Sequence, residues 1–280
     1  MRISAAGVGG GAGTSTIAAL LLATWPADAI MGVEADPDGG VWAARFGLST
    51  HDSAPGLSSL LANFRSFGDD PDAALAHTQG LWDSTVRVAC APSAPSRAAR
   101  VVRVLAEVWD DVAALLPPTT DVVVDCGRWR AGGTASVLMR GCDAALVVVR
   151  PVVEHLEQLA GDAAEILAGG PVGVIVRGDG PHNRDEITRY VHAAGRDVGR
   201  EGDLAVVGFV PDDARAVKAM TLGGSTGRGS TRSLQRSALV RAMIPIANGI
   251  AAERRLTRPL TVPDVIGSDD ATGMLDGRAE

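Results

Sequence analysis

The segment richest in chemical possibility is Gly7-Val8-Gly9-Gly10-Gly11-Ala12-Gly13-Thr14-Ser15-Thr16, between a short β-type run and an alanine- and leucine-rich stretch. Glycine lets the backbone turn with its N–H groups facing inward, and a helix starting there adds the positive end of its dipole. Together they form a nest for anions, phosphate above all. Two phosphate chemistries fit. Gly7, Gly9 and Ala12 satisfy a loose G-x-G-x-x-G/A pattern, with Glu34 at the end of the next strand placed to hold a ribose hydroxyl, as in a dinucleotide-dependent enzyme. The loop also has the outline of a P-loop, in which lysine and then a hydroxyl follow the last glycine. Here Thr14, Ser15 and Thr16 follow Gly13, so the hydroxyls are present and the lysine is absent.

The elements that must position this loop alternate in type. Strands are expected at Arg2–Ala6, Ala29–Glu34, Val86–Ala89, Asp121–Asp125, Ala144–Val149, Val172–Val176 and Ala205–Phe209. Runs such as Val122-Val123-Val124 and Leu146-Val147-Val148-Val149 are apolar without alternation, which suits parallel strands covered on both faces. Helical patterns fall at Thr14–Ala23, Leu57–Phe64, Arg97–Leu115, Glu154–Leu167 and Arg184–Ala193, and a last helix over Ser233–Leu256 is expected to break near Pro245. This alternation predicts a doubly wound α/β domain with a mainly parallel sheet of seven or eight strands and helices on both faces. Such sheets bind ligands at the carboxyl ends of their strands. The domain is expected to span residues 1–258, followed by a polar, disordered tail over 259–280.

Composition narrows the function further. The 280 residues include 46% hydrophobic and 21% charged side chains, which excludes wholesale disorder. A net charge of −7 excludes a protein that coats nucleic acid with its whole surface. Cys90, Cys126 and Cys142 form no C-x-x-C pair, and the five histidines show no metal-site spacing, so neither a disulfide framework nor zinc is expected. The early apolar run Ile17–Leu22 is too short to span a bilayer and follows glycines, not a charged leader, so neither an integral membrane segment nor a signal peptide is expected; a cytoplasmic protein is. Basic residues cluster late. Ala214–Arg258 holds nine of them against Glu253 alone, leaving −15 on the rest of the chain. That asymmetry makes the segment a candidate surface for an anionic partner such as DNA, against the plainer alternative of a solvated helix face.

Beyond the loop, the chain resembles the ParA/MinD family of deviant-Walker P-loop ATPases (the SIMIBI class) from about residue 1 to 253. The family loop is K-G-G-x-G-K-T-T. Laid on it, Gly10, Gly11 and Gly13 keep the glycines, while Gly9 and Thr14 replace the two lysines. The family's D-x-D-P-x-G appears as Glu34-Ala35-Asp36-Pro37-Asp38-Gly39, and its Walker B aspartate as Asp125 after Val122-Val123-Val124. Asp143 to Pro151 and Val207 to Asp213 match two later segments, whereas Val174-Ile175-Val176-Arg177 lacks the family's adenine-contacting Asn. The resemblance implies ATP or ADP on the backbone of Gly9, Gly10, Gly11, Ala12, Gly13, Thr14, Ser15 and Thr16. It implies magnesium at Ser15, Asp36 and Asp125, with Asp36 also catalytic. It implies a nucleotide-dependent organiser that positions or regulates a cellular assembly (DNA partition, pilus or secretion machinery) through a self-dimer or a protein partner. The alternatives are a nucleotide-free scaffold and, further off, a dinucleotide-dependent oxidoreductase.

The lost lysines bear on activity. A charge-assisted phosphate contact contributes roughly 1.5–3 kcal/mol, and the family's first lysine resembles an arginine finger, whose loss costs ~10³ or more in rate. A weak or inactive ATPase is expected, with lysine restored at 14 and then at 9 raising affinity and turnover. Arg45, Arg128, Arg130 and Arg150 are candidates to supply charge instead, each otherwise an ordinary surface arginine.

Overall fold

The computed structural model describes residues 1–27, 29–51, 53–68, 70, 72–82, 86–222 and 236–257, without the side chains of 222 and 253–257. The expected tail over 259–280 lies outside them. The strands are β1 (Arg2–Gly7), β2 (Ile30–Glu34), β3 (Gln79–Leu81), β4 (Val86–Ala89), β5 (Asp121–Arg128), β6 (Ala144–Val149), β7 (Val172–Arg177) and β8 (Leu204–Val210). They form one eight-stranded sheet in the order β3-β4-β2-β5-β1-β6-β7-β8. Every pair is parallel except β3 with β4. The chain winds outward from β1 through β2 and β4, returns to β5 beside β1, and continues the other way through β6, β7 and β8. The change of direction falls at β5-β1-β6, where an open α/β sheet forms its ligand crevice.

The apolar runs divide between two cores, one per face of the sheet. Val122, Val124, Val147 and Val149 enter one core, and Val123, Leu146 and Val148 the other. The second core is covered by α1 (Thr14–Thr24), α2 (Trp42–Arg45), α10 (Ala214–Leu222) and α11 (Ala238–Thr257). The first is covered by α3 (Leu57–Asn63), α4 (Pro95–Glu107), α5 (Trp109–Ala114), α6 (Thr134–Arg140), α7 (Val153–Gly161), α8 (Ala163–Ile166) and α9 (Arg184–Asp197).

Four differences from the sequence pattern have local causes. The stretch Arg97–Leu115 is two helices, because Val108 leaves helical geometry at φ −119°, ψ 19°. Glu154–Leu167 likewise divides at Asp162 into α7 and α8. The edge strand β3 is three residues with Gly80 at its centre and carries no β-branched run. Finally, α11 runs through Pro245 without breaking. The lost backbone hydrogen bond there is offset by burial of Leu239, Met243, Ile246, Ala247 and Ile250 on the second core. Gly208 makes the close approach possible, since a side chain there would overlap Ile246.

Candidate functional site

The glycine loop connects β1 to α1 at the direction change. Gly9, Gly11 and Gly13 have φ of +82°, +72° and +88°, the left-handed region that other residues rarely adopt. Val8 anchors the loop by donating its N–H to the Val148 carbonyl (2.9 Å), and the N–H groups of Thr16 and Ile17 both donate to the Gly13 carbonyl (3.0 Å each). The N–H groups of the first helical turn have no acceptor earlier in the helix. The loop from Gly9 to Thr16 lines a cleft of about 310 Å³ together with Asp36, Asp38, Arg45, Gly127 and Arg128.

Sheet pairing brings Asp36 to this cleft and sets Asp125 behind its lining residues Ser15 and Gly127. Glu34 of β2 pairs with Asp125 of β5, and the Ala35 N–H donates to the Asp125 carbonyl (2.7 Å), so Asp36 emerges just beyond Asp125. The Asp36 carboxylate rests on Gly127, where φ is +64° and any Cβ would overlap it. Its Oδ1 accepts the Asp38 N–H at 2.8 Å, and burial raises its pKa. Asp125 is fully buried. Its Oδ1 accepts the Gly127 N–H at 3.1 Å, and its Oδ2 has no hydrogen-bond partner. Burial pushes its pKa up to about 7; the Ser15 hydroxyl pulls it down and the Asp36 charge pushes it up.

An unpartnered buried carboxylate oxygen is costly unless something completes it. Magnesium keeps several waters and takes only one or two carboxylates when phosphate oxygens share it. Ser15, Asp36 and Asp125 fit that demand. Among the described residues no group of three or more His, Cys, Asp or Glu is arranged to hold a metal by itself.

Glu34 does not hold a ribose. It is fully buried, with Oε1 accepting the Val41 and Trp42 N–H groups (2.6 and 2.8 Å) and Oε2 the Ala91 N–H (3.1 Å). Burial, then the Asp125 charge, raises its pKa to about 7. It ties the loop after β2 to the loop after β4, and Trp42, held by it, donates Nε1–H to the Ser15 carbonyl (3.3 Å). Glu34 therefore braces the first turn of α1, and the dinucleotide pattern loses its acid.

The two lysine positions are closed differently. Beside Gly9 stands His155 of α7, buried at 8% exposure, whose ring any Cβ on Gly9 would overlap. His155 Nδ1 accepts the Arg150 N–H (3.1 Å), which puts the neutral ring's proton on Nε2, toward the Gly10 carbonyl; burial lowers its pKa. The Thr14 hydroxyl instead folds against Gly7 of β1. Of the four candidate arginines, two belong to the cleft. Arg45 donates Nη1–H to Thr16 Oγ1 (3.2 Å), and Arg128 lies beside Gly10. Arg130 pairs with Asp38 at the rim (3.0 Å), and Arg150 pairs with Asp212 (3.0 Å). The sequence pattern missed Arg177. Its Nη1–H donates to the Ala12 carbonyl (3.3 Å), its Nη2 pairs with Asp212 (2.8 Å), and a side chain on Gly13 would overlap it. Its place at the end of β7, where ligand-side residues gather, was the available signal.

No protein-family model matches the chain, and no curated protein sequence matches it. Solved structures do. The septum site-determining protein MinD complexed with Mg-ADP from Pyrococcus horikoshii superposes with a TM-score of 0.65 at 18% identity, over 92% of this chain and 99% of that one. A ParA family ATPase from Chlorobium tepidum gives 0.64 at 17%, over 88% and 98%. The MinC:MinD cell division complex of Aquifex aeolicus gives 0.60 at 15%, over 93% and 98%. Among the described residues no helix is long and apolar enough to cross a membrane. The eight-stranded sheet, its strand order and these superpositions together establish that the chain has the fold of the MinD/ParA ATPases.

Proposed function

We propose that the chain is a nucleotide-dependent organiser that binds ATP or ADP with magnesium on the Gly9–Thr16 backbone and turns it over negligibly. The observation that carries this reading is the buried, unpartnered Asp125 Oδ2 beneath a loop of left-handed glycines, with Asp36 and Ser15 beside it. Ser15, Asp36 and Asp125 would hold magnesium, which would neutralise phosphate charge. The backbone N–H groups supply only partial positive charges, and neither Gly9 nor Thr14 adds a whole one. Positioning is thus retained while electrostatic stabilisation of phosphoryl transfer is reduced. The bound nucleotide would govern a self-dimer or a protein contact at the face around Asp36, by analogy with the MinD that is seen with MinC.

A second reading, a nucleotide-free scaffold acting only through protein contacts, draws support from His155 and Arg177, which already brace Gly9, Ala12 and Gly13 from the protein side. Thermal-shift and calorimetric titration separate the two. Stabilisation by magnesium ADP or ATP, lost in Asp125→Ala, supports the first; no response to any nucleotide leaves the scaffold. A response to a nicotinamide or flavin cofactor alone refutes both.

DNA contact by Ala214–Arg258 is proposed on charge alone. Arg215, Lys218, Arg236 and Arg241 are exposed, whereas Arg228, Arg232 and Arg258 and the side chains of Arg254 and Arg255 lie outside the described residues. Salt-sensitive retardation of duplex DNA, lost on reversing Arg236 and Arg241 to Glu, tests it; unchanged retardation in that variant refutes it.

A further inference from the structure

The cleft lacks both lysines of the P-loop pattern, yet it is not without whole positive charges. Arg45 stands at the Thr16 end of the loop, and Arg128 at the Gly10 end. The two differ in how they are held. Arg45 is half-buried and bound to the Thr16 hydroxyl. Arg128 is exposed and, among the described residues, its guanidinium makes no hydrogen bond or ion pair. Each neighbouring arginine is committed: Arg130 to Asp38, Arg150 and Arg177 to Asp212.

The backbone explains why Arg128 faces the cleft. Strand β5 runs three residues past Asp125, and its pairing with β1 shifts register between Ala5 and Gly7, so that Arg128 comes opposite Gly7, where the glycine loop departs. Gly127, with φ +64°, turns the strand just before it. The following residue is locked: Trp129 donates its N–H to the Gly7 carbonyl (2.9 Å) and its Nε1–H to Asp162 Oδ2 (3.1 Å), and is 1% exposed. With Trp129 fixed in the core, Arg128 is left beside Gly10 with its guanidinium uncommitted.

We infer that Arg128 is the phosphate-contacting cation of this loop, carrying from the end of β5 the charge that a P-loop carries on its helix, with Arg45 supporting it at the other end. The inference rests on the nucleotide reading of the cleft. The ligand chemistry is the polyphosphate of a nucleoside di- or triphosphate. A guanidinium offers a planar fork of N–H donors matched to two phosphate oxygens at once. A cleft of about 310 Å³ lies at the low end for small-molecule sites, which suits a polyphosphate with metal and water better than an enclosed whole nucleotide. Asp125, fully buried behind the lining residues Ser15 and Gly127 with its Oδ2 unpartnered, is the independent sign that the cleft awaits a ligand.

The test titrates magnesium ADP and, separately, magnesium tripolyphosphate into the full chain at constant ionic strength, by calorimetry. Arg128→Gln is expected to weaken both ligands about tenfold to a hundredfold, the range for one charge-assisted contact. Arg128→Lys is expected to recover part of the loss. Arg103→Gln, which removes the same charge from an exposed position on α4, is expected to stay within twofold of wild type. Wild-type binding with Arg128→Gln within twofold overturns the inference and leaves the nucleotide reading standing. Equal weakening by Arg128→Gln and Arg103→Gln overturns it as well, by reducing Arg128 to a share of the general field. Loss confined to ADP, with tripolyphosphate unaffected, overturns it by moving the contact to the nucleoside. Failure of the wild type to bind either ligand removes the nucleotide reading and the inference together.

Discussion

Any side chain at Gly9 is expected to destabilise the chain, so restoring lysine there does not repair the loop. The cost has two parts. An L-residue held at φ +82° costs about 1–2 kcal/mol relative to glycine. The second part is His155: a Cβ would lie 2.5 Å from its Cδ2 and 2.9 Å from its Cε1, so the ring must move. Moving it strains or breaks the Arg150 N–H bond to Nδ1 and the contact with the Gly10 carbonyl, at about 1 kcal/mol each. Gly9→Ala should therefore cost roughly 3–4 kcal/mol in urea denaturation. Gly11 is the internal control. Its φ is +72° and nothing lies within 4 Å of a Cβ there, so Gly11→Ala should cost only the backbone part, about 1–2 kcal/mol. A double-mutant cycle isolates the His155 share: in a His155→Ala background the Gly9→Ala cost should fall to that of Gly11→Ala, a coupling of about 2 kcal/mol. Equal costs at the two glycines in the wild-type background, or a coupling indistinguishable from zero, would refute this reasoning.

The other lysine position behaves differently, because Thr14 is helical and its hydroxyl only turns back on Gly7. Thr14→Lys should raise affinity for magnesium ADP about tenfold with little gain in turnover, and unchanged calorimetric affinity would count against a phosphate at this helix start. Asp125 links stability to pH. Its carboxyl has a pKa of about 7 inside against 3.8 outside, so the folded state holds the proton to higher pH and wild-type stability falls as pH rises from about 4 to 7. In magnesium-free buffer Asp125→Asn should then be more stable than wild type at pH 8, by up to about 4 kcal/mol, and the advantage should vanish near pH 4; a variant less stable at pH 8 contradicts the assignment. Glu34→Ala leaves the N–H groups of Val41, Trp42 and Ala91 unpaired and should cost at least about 3 kcal/mol, measured by thermal or urea unfolding. A cost under 1 kcal/mol would restore Glu34 as a solvent-facing acid.

The amino-acid sequence alone determined the alternation of elements, because parallel strands buried on both faces must be apolar along their length, as Val122–Val124 and Leu146–Val149 are. It also determined the phosphate-type loop, since Gly9, Gly11 and Gly13 are written into the chain wherever a left-handed φ is needed. Short elements with little pattern escaped it: β3 has three residues and α2 four, and each exists because a neighbour supplies pairing or burial. The roles of charged residues were decided by tertiary structure. Glu34 could serve as a ribose acid on paper, but three backbone N–H groups from segments up to 57 residues away convert it into a brace. The candidate arginines could not be sorted by position in the chain. A guanidinium on a long flexible stem acts where its neighbours leave it, so Asp38 holds Arg130 at the rim and Asp212 holds Arg150, while strand register left Arg128 beside Gly10. His155, distant in sequence, stands against Gly9 only because β6 lies next to β1, and that adjacency is a property of the sheet that no local pattern encodes.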